Sequence, residues 1–226
     1  MLDRRLRAKA ERGLEPVGRA LHRLGVSADV LTVLGLVAAV ATALLIANGN
    51  LALAVIGVVL TGLPDLLDGT VARHSGTASA RGAFLDSVCD RVADAVLLGG
   101  VAWHLTDEGA EAPILVLAVV ALSMLISYER AKAESLGLSA HYGVMERFER
   151  LLLLGIGLAF DVLVPVLWVM LALTAITAIH RFVMVWRQTT PTARETSPGR
   201  MRTRFVRRHR ARRARPRRVS RVPRGR

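Results

Sequence analysis

Asp65, Asp68, Asp86 and Asp90 are four carboxylates set into apolar surroundings. They stand in Asp65-Leu-Leu-Asp68-Gly69-Thr-Val-Ala72-Arg73, then, after eight residues, Gly82-Ala-Phe-Leu-Asp86-Ser-Val-Cys89-Asp90. An ionised carboxylate in or near lipid hydrocarbon costs at least ~3 kcal/mol on insertion scales. Four together need a counter-charge, and a divalent cation is the simplest: Mg2+ prefers oxygen ligands and keeps positions for water and substrate phosphates. On helices, residues three or four apart share a face, so Asp65 pairs with Asp68 and Asp86 with Asp90. Gly69 and Gly82 leave room for a bulky phosphate, and Arg73 is placed to neutralise one. The competing reading is a structural ion-pair network with Arg73, Arg81 and Arg91. Four acids flanked by two glycines favour metal-dependent phosphate chemistry over it.

The elements that must carry these groups read as membrane helices. Apolar residues make up 52% of the 226, mean hydropathy is +0.40 and net charge is +13. These values coexist only if the charge is segregated. Residues 189–226 hold fifteen arginines against the single acid Glu195, leaving 16 basic and 17 acidic side chains in 1–188. Six apolar segments approach the ~20 residues needed to cross a bilayer: Val30–Ala47, Leu51–Leu67, Phe84–Leu105, Pro113–Tyr128, Leu151–Val164 and Val166–Trp186, the last two joined by a tight turn at Asp161 and Pro165. Lys and Arg fall before the first segment, in alternate connections (Arg73 and Arg81; Arg130, Lys132, Arg147 and Arg150) and after the sixth. That is the positive-inside pattern. It predicts an all-α integral membrane protein of the cell membrane, with six spans and both termini and the carboxylates on the cytoplasmic side.

Residues 1–24 predict an amphipathic helix on the membrane surface, with Leu2, Leu6, Leu14, Val17, Leu21 and Leu24 opposite seven basic residues. No continuous apolar core there suggests a cleavable signal peptide. Residues 25–187 form the expected six-span domain. Residues 188–226, without hydrophobic period and with four prolines, predict a disordered arginine-rich tail. Its charge suits an electrostatic tether to anionic lipid. Nucleic acid is the less favoured partner, since Phe205 is the tail's lone aromatic residue. Cys89, the one cysteine, excludes an intrachain disulfide, and His74, His104, His141 and His180 have no ligand spacing.

The string Asp-x-x-Asp-Gly-x-x-Ala-Arg, eight residues, Gly-x-x-x-Asp-x-x-x-Asp resembles the signature of the CDP-alcohol phosphotransferases, with eight fixed positions over residues 65–90. The resemblance implies six spans, an amphipathic N-terminal helix, a homodimer, dependence on Mg2+ or Mn2+, and transfer from a CDP-linked donor to an alcohol with release of CMP. It implies Asp65, Asp68, Asp86 and Asp90 as metal ligands, with Asp90 also the base that takes the acceptor's proton. It implies that Gly69 and Arg73 contact the CDP part, with Ser79 and the stretch Ala28, Asp29, Val30 and Leu31 contributing to CDP-diacylglycerol binding.

A second cluster, Tyr128-Glu-Arg130-Ala-Lys132-Ala-Glu134 followed by Glu146-Arg147-Phe-Glu149-Arg150-Leu, gathers four cations beside the expected metal site. Arg130, Lys132, Arg147 and Arg150 suit an acceptor that itself carries a phosphate; the plainer reading is ordinary cytoplasmic anchoring. This pattern is similar to the actinobacterial phosphatidylinositol phosphate synthases, from which it departs by exchanging the first two cations. The resemblance implies CDP-diacylglycerol and inositol phosphate as substrates. A phosphatidylglycerophosphate synthase using glycerol 3-phosphate is the alternative, and a non-catalytic membrane scaffold with a basic recruitment tail the more distant one.

Overall fold

Punctuation along the chain sets where helices begin and end. The computed structural model describes residues 27–75, 79–140 and 143–189, with the backbone alone for 65–75. Six α-helices run through them: α1 Ala28–Ala47, α2 Leu51–Ser75, α3 Ala80–His104, α4 Glu111–Ser135, α5 Arg147–Ala159 and α6 Leu163–Thr189, with a 3-10 turn at Leu105–Glu108. No strand occurs among the described residues. Ser27 caps α1, its hydroxyl accepting from the Val30 N–H at 3.3 Å. Glu146 and Glu149 form a reciprocal capping box at the start of α5.

Three helices end the same way. Asn50 N–H donates to Leu45 O, Leu138 N–H to Ala133 O and Val162 N–H to Gly157 O, each at 2.9 Å. The residue before each donor sits at positive φ: Gly49 and Gly137 at 74° and Asp161 at 53°. This is the Schellman stop. The predicted tight turn at Asp161 is therefore present, and Pro165 falls in the first turn of α6, where a missing N–H costs nothing.

The helices outrun the apolar segments read from sequence. α2 continues eight residues past Leu67, and α4 seven past Tyr128, because a helix satisfies its own backbone bonds in lipid or in water. α5 is the opposite case. Its 13 residues rise about 20 Å, short of the ~30 Å hydrocarbon layer. By length and composition, three helices among the described residues qualify as crossings, α1, α4 and α6, with Leu51–Pro64 of α2 a shorter apolar stretch. α3 is long enough at 25 residues, but it carries Asp86, Asp90, Arg91 and Asp94 along its length.

α1 packs along both α2 and α3, α2 against α5, and α3 against α4. The seams close where side chains are absent or small. A methyl added at Gly57 would lie 2.2 Å from Thr42 Oγ1, and one at Gly100 2.5 Å from the Ala43 carbonyl oxygen. Small residues allow such approach between membrane helices. Three buried threonine hydroxyls donate within their own helices: Thr42 to Ala38 O at 2.7 Å, Thr61 to Gly57 O at 2.9 Å and Thr177 to Leu173 O at 2.8 Å. The core joins Ile46, Leu97, Val101, Val116, Leu154, Leu167 and Met170. The described residues up to Met184 form one compact unit, and Val185–Thr189 at the end of α6 fall outside it. The expected surface helix at 1–24 and the tail beyond Thr189 lie outside the described residues.

Candidate active site

α3 carries most of the site. Ser79 caps it, accepting from the Gly82 N–H at 3.0 Å. A methyl at Gly82 would come within 3.1 Å of Asp29 Oδ1 and 3.3 Å of Ser79 Oγ. The bare glycine thus lets the first turn of α1 meet the cap of α3. Asp29 and Ser79, far apart in sequence, become neighbours. Ala28, Val30 and Leu31 occupy the same first turn of α1, with Val30 exposed and Leu31 buried.

One turn apart on α3, Asp86 and Asp90 line a cavity of about 410 Å3, within the ~300–1,000 Å3 range of small-molecule sites. Its wall also takes Ser127, Arg130 and Glu134 from α4, residues 146–151 from the start of α5, and Arg181 from α6. Gly62, three residues before Asp65 on α2, lines it too. Asp65, Asp68, Gly69 and Arg73 lie on the closing turns of α2, where the backbone alone is described. The donor set fits a hard divalent cation: Asp86 and Asp90 offer carboxylate oxygens to one cavity, and α2 reaches that cavity just before its own two acids. Such ions take oxygen ligands.

Asp90 is held between two guanidinium groups. Arg147 Nη1 lies 2.7 Å from its Oδ1 and Arg91 Nη1 3.4 Å from its Oδ2. Arg147 also reaches across one helical turn, its Nε 3.4 Å from Asp94 Oδ1, while Arg150 Nη2 bonds Asp94 Oδ2. Both Asp94 and Arg150 are buried. The pair staples α5 to α3, and breaking such a buried pair by removing one partner costs ~3–5 kcal/mol. Arg130 bonds Glu134 through Nε at 3.0 Å on the exposed face of α4, where a pair one turn apart contributes only about 0.3–0.5 kcal/mol.

Of the four cations grouped by sequence, Arg130, Arg147 and Arg150 reach the cavity wall; Lys132 is exposed and does not line it. A helix turns 100° per residue, so Arg130 and Lys132 project on opposite sides of α4. Arg181 occupies the fourth place. It is 2% exposed, donates from Nη1 to Ile126 O at 2.9 Å, and has Nη2 3.9 Å from Glu146 Oε1. Gly143 makes room for it, since a methyl there would lie 2.9 Å from Nη2. Sequence reasoning missed two residues, Asp94 and Arg181. Asp94 continues the i, i+4 register of Asp86 and Asp90, which was a usable signal. Arg181 interrupts an apolar segment and was legible as an intramembrane charge.

A model of the CDP-alcohol phosphatidyltransferase family matches residues 26–186. The phosphatidylinositol phosphate synthase of Mycobacterium tuberculosis is 35% identical over 205 residues, covering 85% of this chain and 90% of that one. The synthase of that name from Corynebacterium glutamicum is 37% identical over 212 residues, covering 86% and 93%. The crystal structure of the M. tuberculosis enzyme with CDP-DAG bound superposes with a TM-score of 0.71 over 80% of this chain and 96% of that one, at 35% identity. A second structure of that enzyme, in complex with manganese and citrate, gives 0.70 over 79% and 90%, also at 35% identity. With a family model over residues 26–186 and a helical bundle that brings Asp86 and Asp90 to one cavity, the chain belongs to the CDP-alcohol phosphatidyltransferase family.

Proposed function

We propose that this protein is a phosphatidylinositol phosphate synthase, moving the phosphatidyl group of CDP-diacylglycerol to inositol phosphate and releasing CMP. The observation that carries the acceptor assignment is the company Asp86 and Asp90 keep: Arg130, Arg147 and Arg181 line the same cavity. A neutral alcohol has no use for three guanidinium groups, whereas each can fork onto phosphate oxygens. Arg150 stands behind them, tied to Asp94, and Lys132 lies at the exposed surface.

Asp65, Asp68, Asp86 and Asp90 would hold Mg2+ or Mn2+, which offsets diphosphate charge and eases departure of CMP. The chain's own groups do the rest. Gly69, Arg73, Ser79 and the start of α1, Ala28 to Leu31, hold the CDP-diacylglycerol headgroup, an arrangement supported by the meeting of Asp29 and Ser79 around Gly82. Arg130, Arg147 and Arg181 orient the acceptor by its phosphate. Asp90, partly enclosed beside Arg147 and Arg91, takes the proton of the attacking hydroxyl. The oxygen bonds to the phosphatidyl phosphorus as the bond to CMP breaks. Positioning and electrostatics supply most of the acceleration in such transfers.

In this reading all six helices enter the membrane, α5 and α3 being accommodated by their neighbours rather than by lipid. Residues 25–187 form the catalytic domain, between a surface helix at 1–24 and an arginine-rich tail at 188–226. The cavity opens to the cytoplasm at the cell membrane, and the protein works as a homodimer. The experiment is CMP release from CDP-diacylglycerol with Mg2+, comparing inositol phosphate, glycerol 3-phosphate and free inositol. Turnover with inositol phosphate alone is expected. Preference for glycerol 3-phosphate makes the protein a phosphatidylglycerophosphate synthase, and turnover with free inositol removes the role of the arginines.

A further inference from the structure

We infer that Asp94 is a positioning residue for the transfer: it shares Arg147 with Asp90 and so keeps Asp90 available to the acceptor hydroxyl. The inference rests on the reading of Asp90 as the base. Asp94 does not line the 410 Å3 cavity. It faces a small pocket of about 10 Å3 among Leu97, Leu98, Leu154 and Met170, so it touches neither substrate and acts through its partners. The eight-position family string ends at Asp90 and does not include it.

The geometry states the role. One guanidinium, that of Arg147, spans two carboxylates a helical turn apart, with Nη1 2.7 Å from Asp90 and Nε 3.4 Å from Asp94. Arg150 fixes the far oxygen of Asp94, so Asp94 itself cannot turn away. Three guanidinium groups, those of Arg91, Arg147 and Arg150, serve the two carboxylates of Asp90 and Asp94. Remove the charge of Asp94 and its hold on Arg147 is lost. Arg147, already closer to Asp90, then closes onto it with both edges, because a planar fork matches a carboxylate bidentately. Asp90 is thereby occupied when the acceptor arrives. The cost falls on turnover rather than on the binding of CDP-diacylglycerol.

The test is steady-state CMP release by the full-length protein, using whichever phosphate-bearing acceptor the wild type turns over, with unfolding midpoints measured alongside. Asp94→Asn is expected to lower kcat at least tenfold while KM for CDP-diacylglycerol stays within about threefold. Arg147→Gln raises the acceptor KM. The double variant Asp94→Asn/Arg147→Gln is expected to recover kcat at saturating acceptor, to within about threefold of Arg147→Gln alone, because the guanidinium released by Asp94 is no longer there to close onto Asp90. If Asp94→Asn does not fold, that last comparison still decides. A double variant no faster than Asp94→Asn, or tenfold slower than Arg147→Gln, overturns the inference and leaves Asp94 a structural staple. Failure of the functional reading would show separately, in the acceptor preference of the wild type.

Discussion

At Gly100 the backbone of α3 lies close against α1, and its replacement by alanine tests whether that seam positions the site. A Cβ there would lie 2.5 Å from the Ala43 carbonyl oxygen, 2.9 Å from its Cα and 3.0 Å from its carbonyl carbon. All three are backbone atoms of a continuous helix, so no side-chain rotation relieves the clash. Ordinary contact starts at 3.4 Å, which requires α3 to back away from α1 by up to about 0.9 Å. Overpacking of this kind costs ~1–3 kcal/mol. The neighbouring Gly99 is an internal control: nothing lies within 4 Å of its Cβ position, and alanine there gains up to about 1 kcal/mol of helix propensity. At roughly 2–4 °C per kcal/mol for a chain of this size, Gly100→Ala should lower the thermal midpoint in detergent by about 2–12 °C. Gly99→Ala should leave it unchanged or raise it. Gly100 lies ten residues from Asp90, about 15 Å along the helix, so the tilt it imposes should also reduce turnover. Equal midpoints for the two variants would refute the seam as described.

Asp90→Asn keeps size and removes the proposed base, so CMP release should fall about 10²–10⁴-fold, the usual worth of general-base catalysis. Exhaustive chelation should abolish turnover, and Mg2+ or Mn2+ should restore it; full activity after chelation would remove the metal from the account. Thr177 accepts from the Met145 N–H at 3.1 Å and pins the entry to α5. Thr177→Val leaves that buried donor unpaired, at about 1–3 kcal/mol, and should lower the midpoint while raising the acceptor KM, because Arg147 rides on the first turn of α5. An unchanged acceptor KM would uncouple α5 entry from the cavity.

The sequence carried the helices well because membrane segments are written in long apolar runs. It placed their polar ends poorly, since hydropathy falls at the interface while the backbone continues helical, as at the ends of α2 and α4. α5 falls outside the length rule: its 13 residues are held by packing on α2 and by ion pairs to α3, neither of which a window of hydropathy registers. The pair of Asp86 and Asp90 was legible because residues four apart on α3 must share a face, and both line one cavity. Charge gathered Arg130, Arg147 and Arg150 at the cavity, but not what they pair with: Asp94 lies 53 and 56 positions from Arg147 and Arg150, and Ile126, which accepts from Arg181, is on another helix. Charge alone grouped Lys132 with Arg130; the turn of α4 separates them.

In the proposed transfer the acceptor's phosphate enters the lipid. With CDP-diacylglycerol, Mg2+ and inositol phosphate labelled at phosphorus, the label should pass to the organic-soluble lipid fraction in one-to-one proportion with CMP. CMP release with no label in the lipid would mean that water or another alcohol takes the phosphatidyl group, and would contradict the account.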